Sequence, residues 1–302
     1  MPFKLTIIGS GSAVPTVNRG VTSQYVNFNE RHILIDCGEG TQLQLRRFKV
    51  KFQRLKMILI SHLHGDHYLG LVGLLSSMSL LGRTQKLLII CPKELEQLLN
   101  VQFEIAGIKL NFELEFKHLT AKDKTVVFED NVIAISAFPV KHRIDCWGFY
   151  MNEQQKEKNV DPRAIKEHGL TIEEILQAKK GEDIVREAAY YRNEDITLPP
   201  EPPISYAYSA DTMYFDKMAE YVKDASILYH EATFTEKQID RAKATMHSTA
   251  KQAATVAKNA NVGKLILGHF SARFRGTDEV LAEAKTVFDK VVCVEDGDEF
   301  IL

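Results

Sequence analysis

What this chain lacks narrows its class before any motif is read. Its longest apolar run, residues 69–82, is interrupted by three serines, so no segment offers the roughly 20 apolar residues a membrane helix needs. The opening residues carry only the short apolar run 5–8 behind one lysine, which leads us to expect no secretory signal. Cysteine is scarce. Cys37, Cys91, Cys146 and Cys293 stand far apart, a pattern that excludes a disulfide framework and suits reduced thiols in a cytoplasmic protein. Nor is there an excess of either charge: 38 basic residues face 40 acidic ones, for a net charge of −2. Nucleic-acid binding is therefore not announced by overall charge. Two glycine-bearing loops, Gly9-Ser10-Gly11-Ser12 and Cys37-Gly38-Glu39-Gly40, follow apolar stretches without forming a dinucleotide or Walker fingerprint. No internal repeat is present.

What remains is an ordinary globular composition, 45% hydrophobic and 26% charged over 302 residues, enough for one large domain with an insertion. The densest basic stretch, residues 46–56, holds six cations and no acid; it reads equally well as a solvated face or an RNA contact. Chemistry concentrates elsewhere. His62-Leu63-His64-Gly65-Asp66-His67 packs four candidate metal ligands into six residues, directly after the apolar stretch 57–61. That stretch predicts a buried strand, with the ligands on the loop leaving its C-terminal end. Imidazole and carboxylate donors favour zinc, with manganese or iron as alternatives. The two-residue spacing of His62 and His64 suits an extended loop, with Gly65 easing the turn that sends Asp66 and His67 towards a second ion.

Strands are expected near residues 4–8, 22–28, 32–36, 57–61, 87–91, 112–119, 125–129 and 132–138, with a hairpin turn at Asp130-Asn131. Helices are expected at 42–48, 68–81 and 93–99. Meandering strands mixed with helix crossovers point to an α/β (α+β) sandwich flanked by helices. From 152 to 203 polar residues dominate; Thr171 and Glu174 have the form of a capping box, and prolines at 199, 200, 202 and 203 read as a stiff return. After this insertion, strands at 204–209, 225–229 and 264–268 each run into a motif: Ala210-Asp211-Thr212, His230-Glu231-Ala232-Thr233 and His269-Phe270-Ser271-Ala272-Arg273-Phe274. Met246-His247-Ser248-Thr249 precedes a helix at 249–260, with Thr249 and Gln252 as its capping box.

The stretch Ser61-His62-Leu63-His64-Gly65-Asp66-His67 resembles the signature of the metallo-β-lactamase superfamily, and the His-Glu-Ala-Thr and His-Ser-Thr stretches narrow the resemblance to the ribonuclease Z family. The resemblance implies a four-layer αββα sandwich, formed by 1–151 and 204–302, with 152–203 as an inserted, protruding arm that binds tRNA. It implies two zinc ions: His62, His64 and His142 on one, Asp66, His67 and His269 on the other, and Asp211 bridging both. Asp36, in the Asp-Cys-Gly turn, would support the metal loop. The activity implied is a metal-dependent endoribonuclease that removes the 3′ trailer of precursor tRNA in the cytoplasm, acting as a homodimer with no membrane partner. His247, held by Glu231, would be the acid for the leaving oxygen, and Asp66 would also take part in proton transfer. Arg273, Arg275, Lys179 and Lys180 would meet phosphates; His230 has no assigned role. Pro15-Thr16-Val17-Asn18-Arg19-Gly20 keeps the proline and arginine of the family's substrate loop but lacks its lysine and asparagine. A small-substrate phosphodiesterase of the same superfamily, and a non-catalytic RNA-binding subunit, are the competing readings.

Overall fold

Alternation of side chains along each strand decides this architecture. In the stretch 33–35, Ile33 and Ile35 turn into one apolar core while Leu34 turns into another, and Met57 and Leu59 part from Ile58 in the same way. Tyr206, Ile227 and Ile266 join the first core, whereas Ala207, Leu228 and Leu265 enter a third. Strands that are apolar on both faces must be covered on both. The result is two seven-stranded sheets packed face to face, each backed by helices. The structure is a computed structural model that describes residues 3–154, 157–199 and 202–302. Lys156, and Pro200 and Glu201 of the proline-rich return, lie outside the described residues.

The first sheet runs Glu299–Ile301, Phe3–Gly9, Ser23–Phe28, Arg31–Ile35, Met57–Leu59, Leu87–Cys91, Leu114–His118 from edge to edge. Its last four strands are parallel. In the second sheet Ser205–Tyr208, Ile227–Glu231, Leu265–Gly268 and Val291–Cys293 are parallel neighbours. Parallel strands end on the same side, so the residues that follow them collect along one edge of each sheet. Asp36, His62, Asp211 and His269 all occupy such positions. The helix Ala250–Asn259 covers the second sheet with Ala250, Ala253, Ala254 and Ala257, a small-residue face that permits close approach. Its capping box is formed: Gln252 N donates to Thr249 Oγ1 and Thr249 N to Gln252 Oε1.

Residues 153–203 form a separate compact unit; the remainder, 1–152 and 204–302, forms the other. The smaller unit has its own core of Val160, Ala164, Leu170, Ala178, Ile184 and Ile196. Asp161 caps the helix Pro162–His168, and Thr171 with Glu174 closes a capping box on Ile172–Lys179. The Arg186 guanidinium grips both oxygens of Glu174 at 2.7 and 2.8 Å, tying the hairpin Ile184–Arg186/Ala189–Tyr191 to that helix.

Two expectations change. The metal loop is extended only as far as His64, because Gly65–Tyr68 closes a helical turn in which His67 N donates to His64 O. Gly65 is not among the left-handed residues, so the turn does not depend on its conformational freedom. The apolar stretch 68–81 is likewise interrupted, with its helix at Leu71–Leu80 and both Leu80 and Leu81 exposed. The glycines that matter are Gly38 and Gly70. A Cβ on Gly38 would lie 2.2 Å from Asp66 O, and one on Gly70 2.1 Å from Gly38 O. Cys37 N also donates to His67 O, and Gly70 N to Cys37 O. The Asp-Cys-Gly turn is thus a backbone seat for the metal helix. Gly38→Ala should cost about 1–3 kcal/mol, as overpacking does, and loosen metal binding with it. Denaturant melts and metal content of the purified variant check this; a wild-type midpoint with full metal would reject the seat.

Candidate metal centre

Four of the five candidate ligand rings, those of His62, His67, His142 and His269, have one nitrogen fixed by a hydrogen bond, which decides what the other can do. His67 Nδ1 lies 2.8 Å from Asp36 Oδ2, and Asp36 also accepts from Ser61 N, Ser61 Oγ and Tyr208 OH. His142 Nδ1 faces Met246 O at 3.0 Å, an oxygen that can only accept. His269 Nδ1 faces Thr233 Oγ1 at 2.9 Å, and His62 Nδ1 faces Ser61 Oγ at 3.0 Å. With Nδ1 donating, the Nε2 of each of these four presents a lone pair to the interior of the site; His64 turns its Nδ1 inward instead.

Those lone pairs converge. His62 Nε2 and His142 Nε2 each lie 3.1 Å from His64 Nδ1, and with Asp211 they form one donor group. Asp66, His67, Asp211 and His269 form a second. Asp211 Oδ2 stands 3.3 Å from His67 Nε2 and 3.7 Å from His62 Nε2, while Oδ1 stands 3.2 Å from His269 Nε2. The buried Nε2 atoms of His67 and His269 have no hydrogen-bond partner, although carboxylate oxygens surround them. Orphaned nitrogens aimed at carboxylates fit a divalent cation between them. Electrostatics agree. Burial holds His62, His64 and His142 below the usual imidazole range, in the neutral form that binds metal. Burial opposes charge on His67 too, but Asp211, Asp66 and Asp36 outweigh it and raise its proton affinity well above normal. Asp211 stays ionised against its burial, chiefly through His269 and His67. The pocket demands positive charge.

Beside the second donor group lies a third, Glu231, His247 and His269. The helix Ile239–Thr245 ends at Met246 in the left-handed conformation, which turns the chain and delivers His247. His247 Nδ1 is 2.8 Å from Glu231 Oε1. Burial disfavours its charge, yet the Glu231 carboxylate and that hydrogen bond raise its pKa to about 9. Glu231, 1% exposed, also accepts from Thr212 N and Ser248 N on Oε1 and from Thr233 N and Oγ1 on Oε2. One buried carboxylate therefore ties three motifs together. Asp66 Oδ2 takes a hydrogen bond from Ala13 N at 2.7 Å.

A cavity of about 460 Å³ opens over both donor groups and His247. Arg273 lines it; Arg275 does not, and lines a neighbouring cleft with Arg19 and Arg47. Lys179 and Lys180 belong to the smaller unit. His230 is buried, its Nδ1 on Glu231 O, and falls in none of the donor groups. Arg143, Arg241 and Thr245 also line the cavity and were not singled out from sequence; Arg143 directly follows a ligand, the one local sign available. Thr233, Ser61 and Tyr208 were missed as well, although Thr233 sits two residues from Glu231.

Two donor groups sharing an aspartate, at the strand ends of two packed sheets, define a metal-dependent hydrolase centre of the metallo-β-lactamase fold. Over residues 3–156 the chain matches the family model described as Anti-Pycsar protein Apyc1, a stretch holding His62 to His142 but ending before Asp211, Glu231, His247 and His269. Nearly the whole chain is similar to Ribonuclease Z of Bacteroides thetaiotaomicron, 41% identical over 296 residues, 98% of this chain and 94% of that one. Ribonuclease Z of Cytophaga hutchinsonii is 37% identical over 302 residues, 99% and 96% of the two chains. Among solved structures, human tRNase Z, short form, superposes with a TM-score of 0.73 at 25% identity, covering 99% of this chain and 98% of that one. The metallo-β-lactamase fold protein YhfI from Bacillus subtilis shares the fold at a TM-score of 0.70 and 20% identity, over 99% of each chain. The first half thus falls within the family of that model, and the chain as a whole belongs to the ribonuclease Z family.

If cations meet the charge demand of this pocket, they stabilise the fold by mass action, about 2.7 kcal/mol at a hundredfold excess over Kd. Stripping divalent metal with a chelator should lower the melting temperature by roughly 5–10 °C for a domain of this size, and zinc should restore it. Asp211→Ala should blunt that shift; an unchanged melt on stripping would contradict the assignment.

Proposed function

We propose that the chain is a zinc-dependent endoribonuclease that removes the 3′ trailer from precursor tRNA and leaves a 3′-hydroxyl on the tRNA. The observation that carries this reading is His247 on the wall of the metal cavity, held from behind by buried Glu231. Hydrolysis of a small activated ester needs no such acid, whereas a ribose 3′ oxygen is a poor leaving group. His62, His64, His142 and Asp211 would hold one zinc ion, and Asp66, His67, His269 and Asp211 a second. Manganese or iron would suit the same donors less well. Two such ions, when bound, would supply Lewis acidity towards the phosphodiester and activate water.

The chain's own groups do the rest. Asp66, fixed by a hydrogen bond from Ala13 N, would take up the proton that the attacking water loses. His247 is protonated at neutral pH, and with Nδ1 committed to Glu231 its Nε2–H is free to donate to the departing ribose oxygen. Arg273, which lines the cavity, would meet a phosphate there, and Arg275 one in the adjoining cleft. Residues 153–203 would bind the body of the tRNA. That unit carries twelve acidic and eight basic residues, so its contacts depend on local cations: Arg163, Lys166 and Lys180 are exposed and Lys179 partly so. Arg186 is committed to Glu174. All four cysteines are free, which supports a cytoplasmic location. We read the working form as a homodimer, supported by exposed Leu43, Leu80 and Leu81; a monomer in sedimentation velocity would reject that part.

The test uses two substrates, a 3′-extended precursor tRNA and an activated aryl phosphodiester. His247→Ala should lose roughly 10²–10⁴-fold on the tRNA, the worth of general acid catalysis, and much less on the aryl ester. Replacing 153–203 by a Gly/Ser linker should raise KM for the tRNA and spare the aryl ester. Wild-type protein that hydrolyses the ester but leaves the tRNA intact would favour a small-substrate phosphodiesterase.

A further inference from the structure

The hydroxyl of Thr233 stands between the two halves of the chemistry. It lies 2.7 Å from Glu231 Oε2, 2.9 Å from His269 Nδ1, 3.1 Å from His269 O and 3.4 Å from His247 Nδ1. A threonine hydroxyl has one proton to give and two lone pairs. Of the acceptors in reach, the ionised carboxylate is both closest and strongest, so the proton goes to Glu231. The oxygen is then an acceptor, and His269 Nδ1–H is the donor facing it. The bonds converge on Glu231: His269 Nδ1–H donates to Thr233 Oγ1, Thr233 O–H donates to Glu231 Oε2, and from the other side His247 Nδ1–H donates to Glu231 Oε1.

The direction matters because His269 has an alternative. Its Nε2 lies 3.2 Å from Asp211 Oδ1 and 3.5 Å from Asp66 Oδ2. If the ring proton moved from Nδ1 to Nε2, the ring could donate to these carboxylates and stop being a ligand. An acceptor at Nδ1 prevents that. His67 has Asp36 for the purpose and His142 has Met246 O, the carbonyl of the residue before His247; neither acceptor is hydrogen-bonded to Glu231. Only at His269, among these rings, is it shared with Glu231.

We propose that Thr233 is a positioning residue that holds His269 in its metal-binding tautomer and aims Glu231 at His247, so that one hydroxyl governs metal retention and proton delivery together. The proton-delivery half rests on the endoribonuclease reading above; the metal half does not. Neither role is filled by shape alone. Valine has the volume of threonine without the hydroxyl, and serine keeps the hydroxyl without the methyl.

The experiment compares metal-loaded wild type, Thr233→Val and Thr233→Ser, with Thr233→Ala as a second hydroxyl-free variant should the valine fail to fold. Metal retention is read by competition with a chelator, and kcat and KM on precursor tRNA and on the aryl phosphodiester. Thr233→Val should release its weaker ion about 10–100-fold more readily, the usual effect of losing a hydrogen-bond partner of a ligand. At saturating zinc its kcat on precursor tRNA should still be depressed, by more than on the aryl ester, with KM unchanged. Thr233→Ser should stay within about threefold of wild type throughout. A hydroxyl-free variant that keeps both metal and kcat would overturn the proposal, as would a serine variant as impaired as valine. If wild type does not cut precursor tRNA while Thr233→Val still sheds metal, the endoribonuclease reading fails and the positioning of His269 stands.

Discussion

Carboxylates taken out of water must be met by hydrogen bonds or by positive charge, and this fold buries Asp36, Asp211 and Glu231 almost completely. The three meet the requirement in different ways. Asp36 takes four hydrogen bonds, and Glu231 takes five, including one from a protonated imidazole. Asp211 is left facing imidazole nitrogens whose protons are committed elsewhere. Among the described residues its charge faces only imidazoles that are themselves candidate ligands. A cation is the remaining solution, and the arrangement of the site follows from it. Breaking such a pocket by removing one partner is costly, because what stays behind is buried and uncompensated.

The sheets explain how those groups come together. Six residues, 62–67, supply four of the seven candidate donors, but His142, Asp211 and His269 arrive from three separate places. They meet because each follows a strand that ends at the same edge. Tyr208 reaches Asp36 across the sandwich interior, and the backbone of Cys37-Gly38 supports the helical turn carrying Asp66 and His67. Core packing and ligand placement are thus the same problem: a strand slipped by one residue would exchange its buried faces and misplace its ligand.

Much of this was legible in the chain. Apolar runs marked the strands, and Thr171/Glu174 and Thr249/Gln252 marked two helix starts that the structure forms. The density of the 62–67 stretch marked a metal loop. Less legible was the local shape of that loop, because a four-residue helical turn is too short to leave a periodic signal. Also hidden were the groups that orient the ligands. Thr233, Ser61 and Tyr208 act through hydrogen bonds between distant segments, and no spacing rule reports those. Arg143 and Arg241 lie 98 positions apart in sequence and meet only at the cavity wall. The polar insertion concealed a small core, since six scattered apolar side chains suffice once the helices and hairpin dock.

The claim on which this account depends is that the two donor groups sharing Asp211 hold two cations. Anomalous diffraction at the zinc edge, from crystals of protein loaded with zinc, addresses it directly. The account predicts two strong peaks, one among His62, His64 and His142 and the other among Asp66, His67 and His269, with Asp211 between them. A single peak at full zinc loading, or density at neither position, would contradict it.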